Sequence, residues 1–198
     1  LPIAAFDNHI FKDAQAANQI ALNLSSMTFM VAMGLSVAAT IRVGNQKGFR
    51  AFGELKRIAL SVFLLTLLLD VVFAGFFVAF NETLPWLYLD SATGLDTFAV
   101  AELAGSLLFI AAVFQIFDGA QVVALGSLRG LQDVRIPTWI TFLAYVLIGV
   151  PVMLYLSKEA AMGARGVWIG LCLGLVVSSL LLYLRFRYLS NKLIHTNV

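Results

Sequence analysis

Apolar residues fall along the chain in five long runs, at 14–40, 58–80, about 97–131, 136–156 and 163–186, with short polar connections between them. A helix crossing the hydrocarbon core of a bilayer needs about 20 such residues. A membrane strand takes only about 10 residues and alternates in polarity, and these runs do neither. The pattern predicts an all-α polytopic membrane protein of five transmembrane helices. The first run is the most polar, and the third is too long for one straight crossing. Pro137 falls in the first turn of the fourth helix, where its missing N–H costs nothing. Pro151 falls late in the same helix and is expected to kink it or end it early.

Charge orients the five spans. Arg42, Lys47, Arg50, Lys56 and Arg57 lie between the first two, Arg129 and Arg135 flank the third-to-fourth turn, and Arg185, Arg187 and Lys192 follow the fifth. Lys12, Lys158 and Arg165 lie on the opposite side, where the 81–96 connection carries Glu82, Asp90 and Asp96 and no basic residue. Positive charge stays on the cytoplasmic side of a membrane. The bias therefore predicts an external approach segment over residues 1–13 and a cytoplasmic tail over 188–198, with Trp86 and Tyr88 as outer interfacial anchors.

Composition narrows the classes. With 61% apolar and 12% charged residues, the chain carries more apolar surface than a water-soluble fold can cover. A soluble enzyme, a disordered protein and a nucleic-acid-binding module are excluded. The single cysteine, Cys172, excludes a disulfide framework and a cysteine-based zinc site. His9 and His195 sit at opposite ends, so neither a histidine metal cluster nor a Ser/His/Asp grouping is expected. No P-loop or Gly-x-Gly-x-x-Gly turn is present. The chain opens on Leu1 with no signal-peptide pattern, and we expect it to begin inside a longer protein.

Small residues mark close helix contacts in lipid. Gly166, Gly170, Gly174 and Ser178 form a stripe at intervals of four on the fifth span, a docking face that could also let helices slide. Ionisable groups inside spans are functional candidates because they cost roughly 3 kcal/mol to insert. Asp118 lies on the third span with Gln115 and Gln121 at spacings of three, which implies a wet cavity or a polar partner. Asp70 stands alone near the middle of the second span, with Thr66 its best local partner. It is either a protonated acid bonded to a neighbouring helix or a second cation or proton site. Gln19, Asn23 and Ser26 share one face of the first span, where they either bond to neighbouring helices or line a polar pathway. Glu102, near the outer end of the third span, is expected to be an interfacial charge.

Three ordered segments carry a resemblance. They are the stretch from Ala17-Asn18-Gln19 to Met30 continued by Gly34 to Asn45, the stretch from Phe114 through Asp118 to Gly130, and Gly163-Ala164-Arg165-Gly166-Val167-Trp168-Ile169-Gly170. Together they resemble the C-terminal lobe of multidrug and toxic compound extrusion (MATE) transporters of the bacterial NorM type, over about residues 14–186. The resemblance implies twelve helices in two lobes, of which this chain corresponds to the eighth to twelfth. It implies export of organic cations against Na⁺ or H⁺ from a bacterial inner membrane. Asp118 matches the tenth-helix aspartate of the family's cation site, which makes it the expected Na⁺ or proton site. Phe114 stands where the family often has a tyrosine and lacks its hydroxyl. Asn18 stands where relatives commonly have histidine. Asp70 matches no family motif.

The implied partners are cationic drugs, membrane lipid, and the N-terminal lobe and seventh helix of the same protein. No cofactor is expected beyond the coupling ion. Three rival readings differ in what they require. A lipid-linked oligosaccharide flippase should hold pyrophosphate with basic residues in its cleft, and no Lys or Arg lies in the interior of an apolar run, since Arg129, Arg165 and Arg185 fall at the ends. A non-transporting membrane scaffold would keep Asp118 and Asp70 paired and dry. A truncated, inactive product would lack the rest of the protein.

Overall fold

The structure, a computed structural model, describes residues 3–89, 97–159 and 163–196. Asp90 and Asp96 of the acidic connection lie outside the described residues. Helix α1 spans Ile3–Gly48, α2 Phe52–Ala79 and α3 Thr97–Gly130. The fourth span is composite: α4 (Arg135–Ala144), a π turn (Tyr145–Gly149), α5 (Val150–Leu154) and a second π turn (Tyr155–Glu159). Helix α6 spans Gly163–Thr196. Five stretches are long and apolar enough to cross a membrane, matching the five runs. The helices outlast those runs. Helix α1 takes in most of the approach segment, and α6 continues through most of the tail.

Helices α1 and α3 end alike. Arg50 and Gln132 adopt left-handed backbone, with φ of 58° and 63°. Beside them, the Ala51 N–H reaches back to the Gln46 carbonyl and the Asp133 N–H to the Leu128 carbonyl, each at 3.0 Å. These Schellman turns satisfy the last helical carbonyls and reverse the chain at the basic end of the bundle. Lys47 Nζ donates to the Leu131 carbonyl at 2.7 Å, placing a cation at the negative end of α3.

Pro151 neither ends the fourth helix nor stands alone as a kink. Its ring would clash with the carbonyl of the residue four before it, Leu147. The π turn over Tyr145–Gly149 widens the helix at that carbonyl, and the chain stays helical to Glu159.

Helix α3 is the axis of the bundle. Towards its start, Val100, Ala104, Leu107, Leu108 and Ala111 are fully buried against Ala17 and Ala21 of α1. Towards its end, Gly126 lets the Ser36 backbone of α1 approach, and Gly130 meets Thr40. Two hydroxyls cross this seam: Ser36 Oγ donates to the Val122 carbonyl at 2.7 Å and Thr40 Oγ1 to the Gly126 carbonyl at 2.9 Å. The outward faces are greasy instead. Leu64, Leu68, Val71 and Val72 of α2 are all exposed, as a lipid-facing surface requires.

The glycine stripe of α6 is a backbone-to-backbone seam. A methyl on Gly166 would lie 2.7 Å from the Leu156 carbonyl carbon, and one on Gly174 would lie 3.2 Å from Gly149 Cα. Gly170 meets the backbone of Met153. At the end of the stripe, Ser178 Oγ and Thr141 Oγ1 are 3.4 Å apart. The stripe therefore docks the fourth span along both of its π turns.

Candidate functional site

Asp118 is partly buried and faces an open cavity of about 300 Å³ lined by α1, α3 and α6. From α1 come Asn18, Ser25 and Ser26, and from α6 comes Trp168. The Trp168 indole N–H donates to Asn18 Oδ1 at 2.8 Å, tying α6 to α1. Its ring meets Phe114 of α3 edge-on at 5.6 Å. One wall is thus an indole held by two other helices. Ser26 Oγ donates to the Leu22 carbonyl at 2.7 Å, the usual arrangement of a helical serine. Ser25 Oγ is buried and has no hydrogen-bond partner. Asp118 and Ser25 thus line one cavity, with the Ser25 hydroxyl oxygen buried beneath its surface.

Asp70 is only 3% exposed, and its carboxyl packs against Gly119, the residue after Asp118. Only glycine admits it, because a side chain at 119 would collide with the carboxyl and with the Thr66 methyl. The two acids lie within Coulombic reach of each other. Gln115 Nε2 donates to the Asp70 backbone carbonyl at 3.3 Å, fixing α3 to α2 beside the carboxyl. Asp70 Oδ2 and Gln115 Oε1 both lack a partner. Thr66 is not the local partner of Asp70, because its hydroxyl donates to the Val62 carbonyl at 2.9 Å.

The structure divides the polar residues of α3. Gln115 turns to α2, Asp118 to the cavity, and Gln121, 7% exposed, towards Tyr145 in the first π turn of the fourth span. Each step of three residues rotates the side chain by about 60°, so three such residues address three neighbours. Gln121 does not line the cavity. Gln19 and Asn23 do not line it either: they bond to each other at 3.2 Å on the exposed face of α1. Ser25 and Tyr145 were not singled out by pattern. The signal for Ser25 was its place one residue before Ser26. Tyr145 had none, because only the packing of the fourth span brings it to α3. Among the described residues, no group of three or more His, Cys, Asp or Glu is placed to hold a metal ion.

A bundle of five long apolar helices, with one carboxylate inside a span bordering a cavity, is the arrangement of a multi-pass membrane protein, and such an acid is a transport candidate by default. The MatE family profile matches residues 5–154. The chain belongs to the MatE family, whose relatives are transporters and not enzymes. It is 37% identical over 91% of its length to the probable multidrug resistance protein NorM of Xanthomonas axonopodis pv. citri. It is 40% identical over 90% of its length to the multidrug resistance protein MdtK of Yersinia pestis. The chain spans 38% and 39% of these two relatives. Among solved structures, it superimposes on an outward-facing multidrug resistance MATE family transporter with a TM-score of 0.82 (18% identity, 93% of this chain, 40% of the other). On an inward-facing one the TM-score is 0.77 (20% identity, 90% of this chain, 40% of the other).

Proposed function

We propose that this chain forms the ion-coupling part of a secondary multidrug antiporter, which exports organic cations in exchange for Na⁺ or H⁺ across a bacterial inner membrane. The observation that carries the proposal is the placement of Asp118. Its carboxyl borders a cavity at membrane depth beside the unpartnered Ser25 hydroxyl, with a second acid, Asp70, packed behind it on Gly119.

A carboxylate in such a cavity binds one cation at a time. An organic cation and a coupling ion therefore compete for it, and competition is the minimum that exchange requires. Phe114 and Trp168 supply an aromatic wall, on which a flat organic cation can rest by cation–π attraction. Asp70 supplies a second negative charge in reserve, or a proton, without needing to reach the cavity. The same helical arrangement fits an outward-facing and an inward-facing relative, which favours rocking of the lobe as a unit. The basic end of the bundle, and with it the C-terminus, faces the cytoplasm in this proposal.

The test uses the protein in cells loaded with ethidium. Asp118→Asn is expected to abolish efflux driven by either a Na⁺ or a H⁺ gradient while leaving the protein in the membrane. Undiminished efflux would overturn the assignment. Imposing the two gradients separately on the wild type identifies the coupling ion.

A further inference from the structure

A second groove lies away from Asp118, at the basic end of the bundle. It has a volume of about 240 Å³ and runs between α2, α3 and α6. Its body is apolar, because Ala59 and Ala124 leave room where larger side chains would have closed the gap. The tilted rings of Phe63 and Tyr183, with centroids 5.1 Å apart, form part of its wall. Its lining ends in two cations, Lys56 and Arg187.

Neither cation is neutralised. Among the described residues, the ion pairs are Arg57 with Glu54 and Arg185 with Asp133, and neither involves the groove. Lys56 Nζ donates to Asn191 Oδ1 at 2.9 Å, which leaves two of its three N–H donors. The Arg187 guanidinium lies over the Tyr183 ring, 5.9 Å from its centroid, and that stacking leaves its N–H edges free. The groove therefore combines an apolar and aromatic lining with two cations that keep spare donors.

We propose that this groove binds one anionic phospholipid, its phosphate between Lys56 and Arg187 and an acyl chain along the channel. The charge selects an anion, and the apolar body at membrane depth selects one with a hydrocarbon tail. A soluble phosphate compound would leave the channel empty. Basic pockets between transmembrane helices recognise lipid headgroups in this way. The site is separate from the Asp118 cavity and does not depend on the transport reading.

The experiment places the chain in nanodiscs of phosphatidylcholine with a minority of phosphatidylglycerol. After mild detergent extraction, the lipid retained is measured by mass spectrometry. The wild type is expected to enrich phosphatidylglycerol. The double variant Lys56→Gln/Arg187→Gln is expected to lower that enrichment about tenfold, at roughly a few-fold per cation. Arg50→Gln/Arg129→Gln removes the same charge at the same end but outside the groove, and is expected to change it less than twofold. Leu60→Trp, a lining residue on the bilayer side, fills the channel without touching charge and is expected to lower retention as much as the double charge variant. Far-ultraviolet circular dichroism checks that each variant remains helical. The proposal fails if the groove variants retain lipid like the wild type, or if the control pair loses as much, which would mean diffuse surface charge. It also fails if millimolar inorganic phosphate displaces the lipid completely, which would make the site one for free phosphate.

Discussion

A single methyl group tests how Asp70 is seated. Its carboxyl occupies the space where a side chain at 119 would be, so Gly119→Ala forces a buried acid to move. Overpacking of this kind costs about 1–3 kcal/mol. We predict that loss in unfolding experiments in mixed micelles. In an Asp70→Ala background the same change should cost less than half as much, since the space is then vacant. The Trp168–Asn18 bond offers a milder case. Trp168→Phe should lower stability by about 0.6 kcal/mol, the average for a hydrogen bond between membrane helices. Asn18→Leu together with it should lower stability no further through that bond. At this scale the sequence shows that Asp118 and Asp70 are out of place in an apolar run, but not what each one faces. Gln115, Asp118 and Gln121 look like one polar face because a spacing of three keeps each on the side next to the last, about 60° round. That rotation is enough to hand them to α2, the cavity and the fourth span in turn. The contact between Asp70 and Gly119 joins two different helices, where no local pattern can register it.

Elements were easier to read, because span length and hydropathy follow directly from bilayer thickness. The stripe Gly166, Gly170 and Gly174 also declared itself by its spacing, and its neighbour turns out to be the backbone of the fourth span. Gly170→Leu should therefore be severely destabilising, by about 3 kcal/mol or more. Gly34→Leu, at a position with no neighbouring atom within 4 Å, should be close to neutral in the same assay. The π turns were not legible. A proline announces a disturbed helix but not whether the chain stops, bends or widens, and here close packing against α6 keeps it helical. The end of α1 gives a prediction of opposite sign. Arg50 holds a left-handed backbone that disfavours any residue with a Cβ. Arg50→Gly should stabilise the chain by about 1 kcal/mol, and Arg50→Val should destabilise it.

For the whole molecule, orientation rests on charge. Ten basic residues gather at one end, and two contacts there join distant parts of the chain: Arg185 Nε to Asp133 Oδ2 and Lys56 Nζ to Asn191 Oδ1, both at 2.9 Å. His195, exposed near the end of α6, lies at that end. A His195→Cys variant in a Cys172→Ser background should resist a membrane-impermeant maleimide in intact cells and react with it in inverted vesicles. The reverse pattern would turn the lobe over and place its basic end outside. The apolar runs and their flanking charges were enough for that expectation. Which helix occupies the centre was not, because burial of α3 by α1, α2 and α6 is a property of the assembled bundle.

The indole wall beside Asp118 also has an optical consequence. The other two tryptophans, Trp86 and Trp139, are 44% and 62% exposed and sit away from this cavity. With both changed to phenylalanine, the emission of Trp168 becomes a gauge of the space in front of it. Ethidium entering that space would quench the fluorescence, Na⁺ or acid would restore it, and the titration would report occupancy with no gradient imposed.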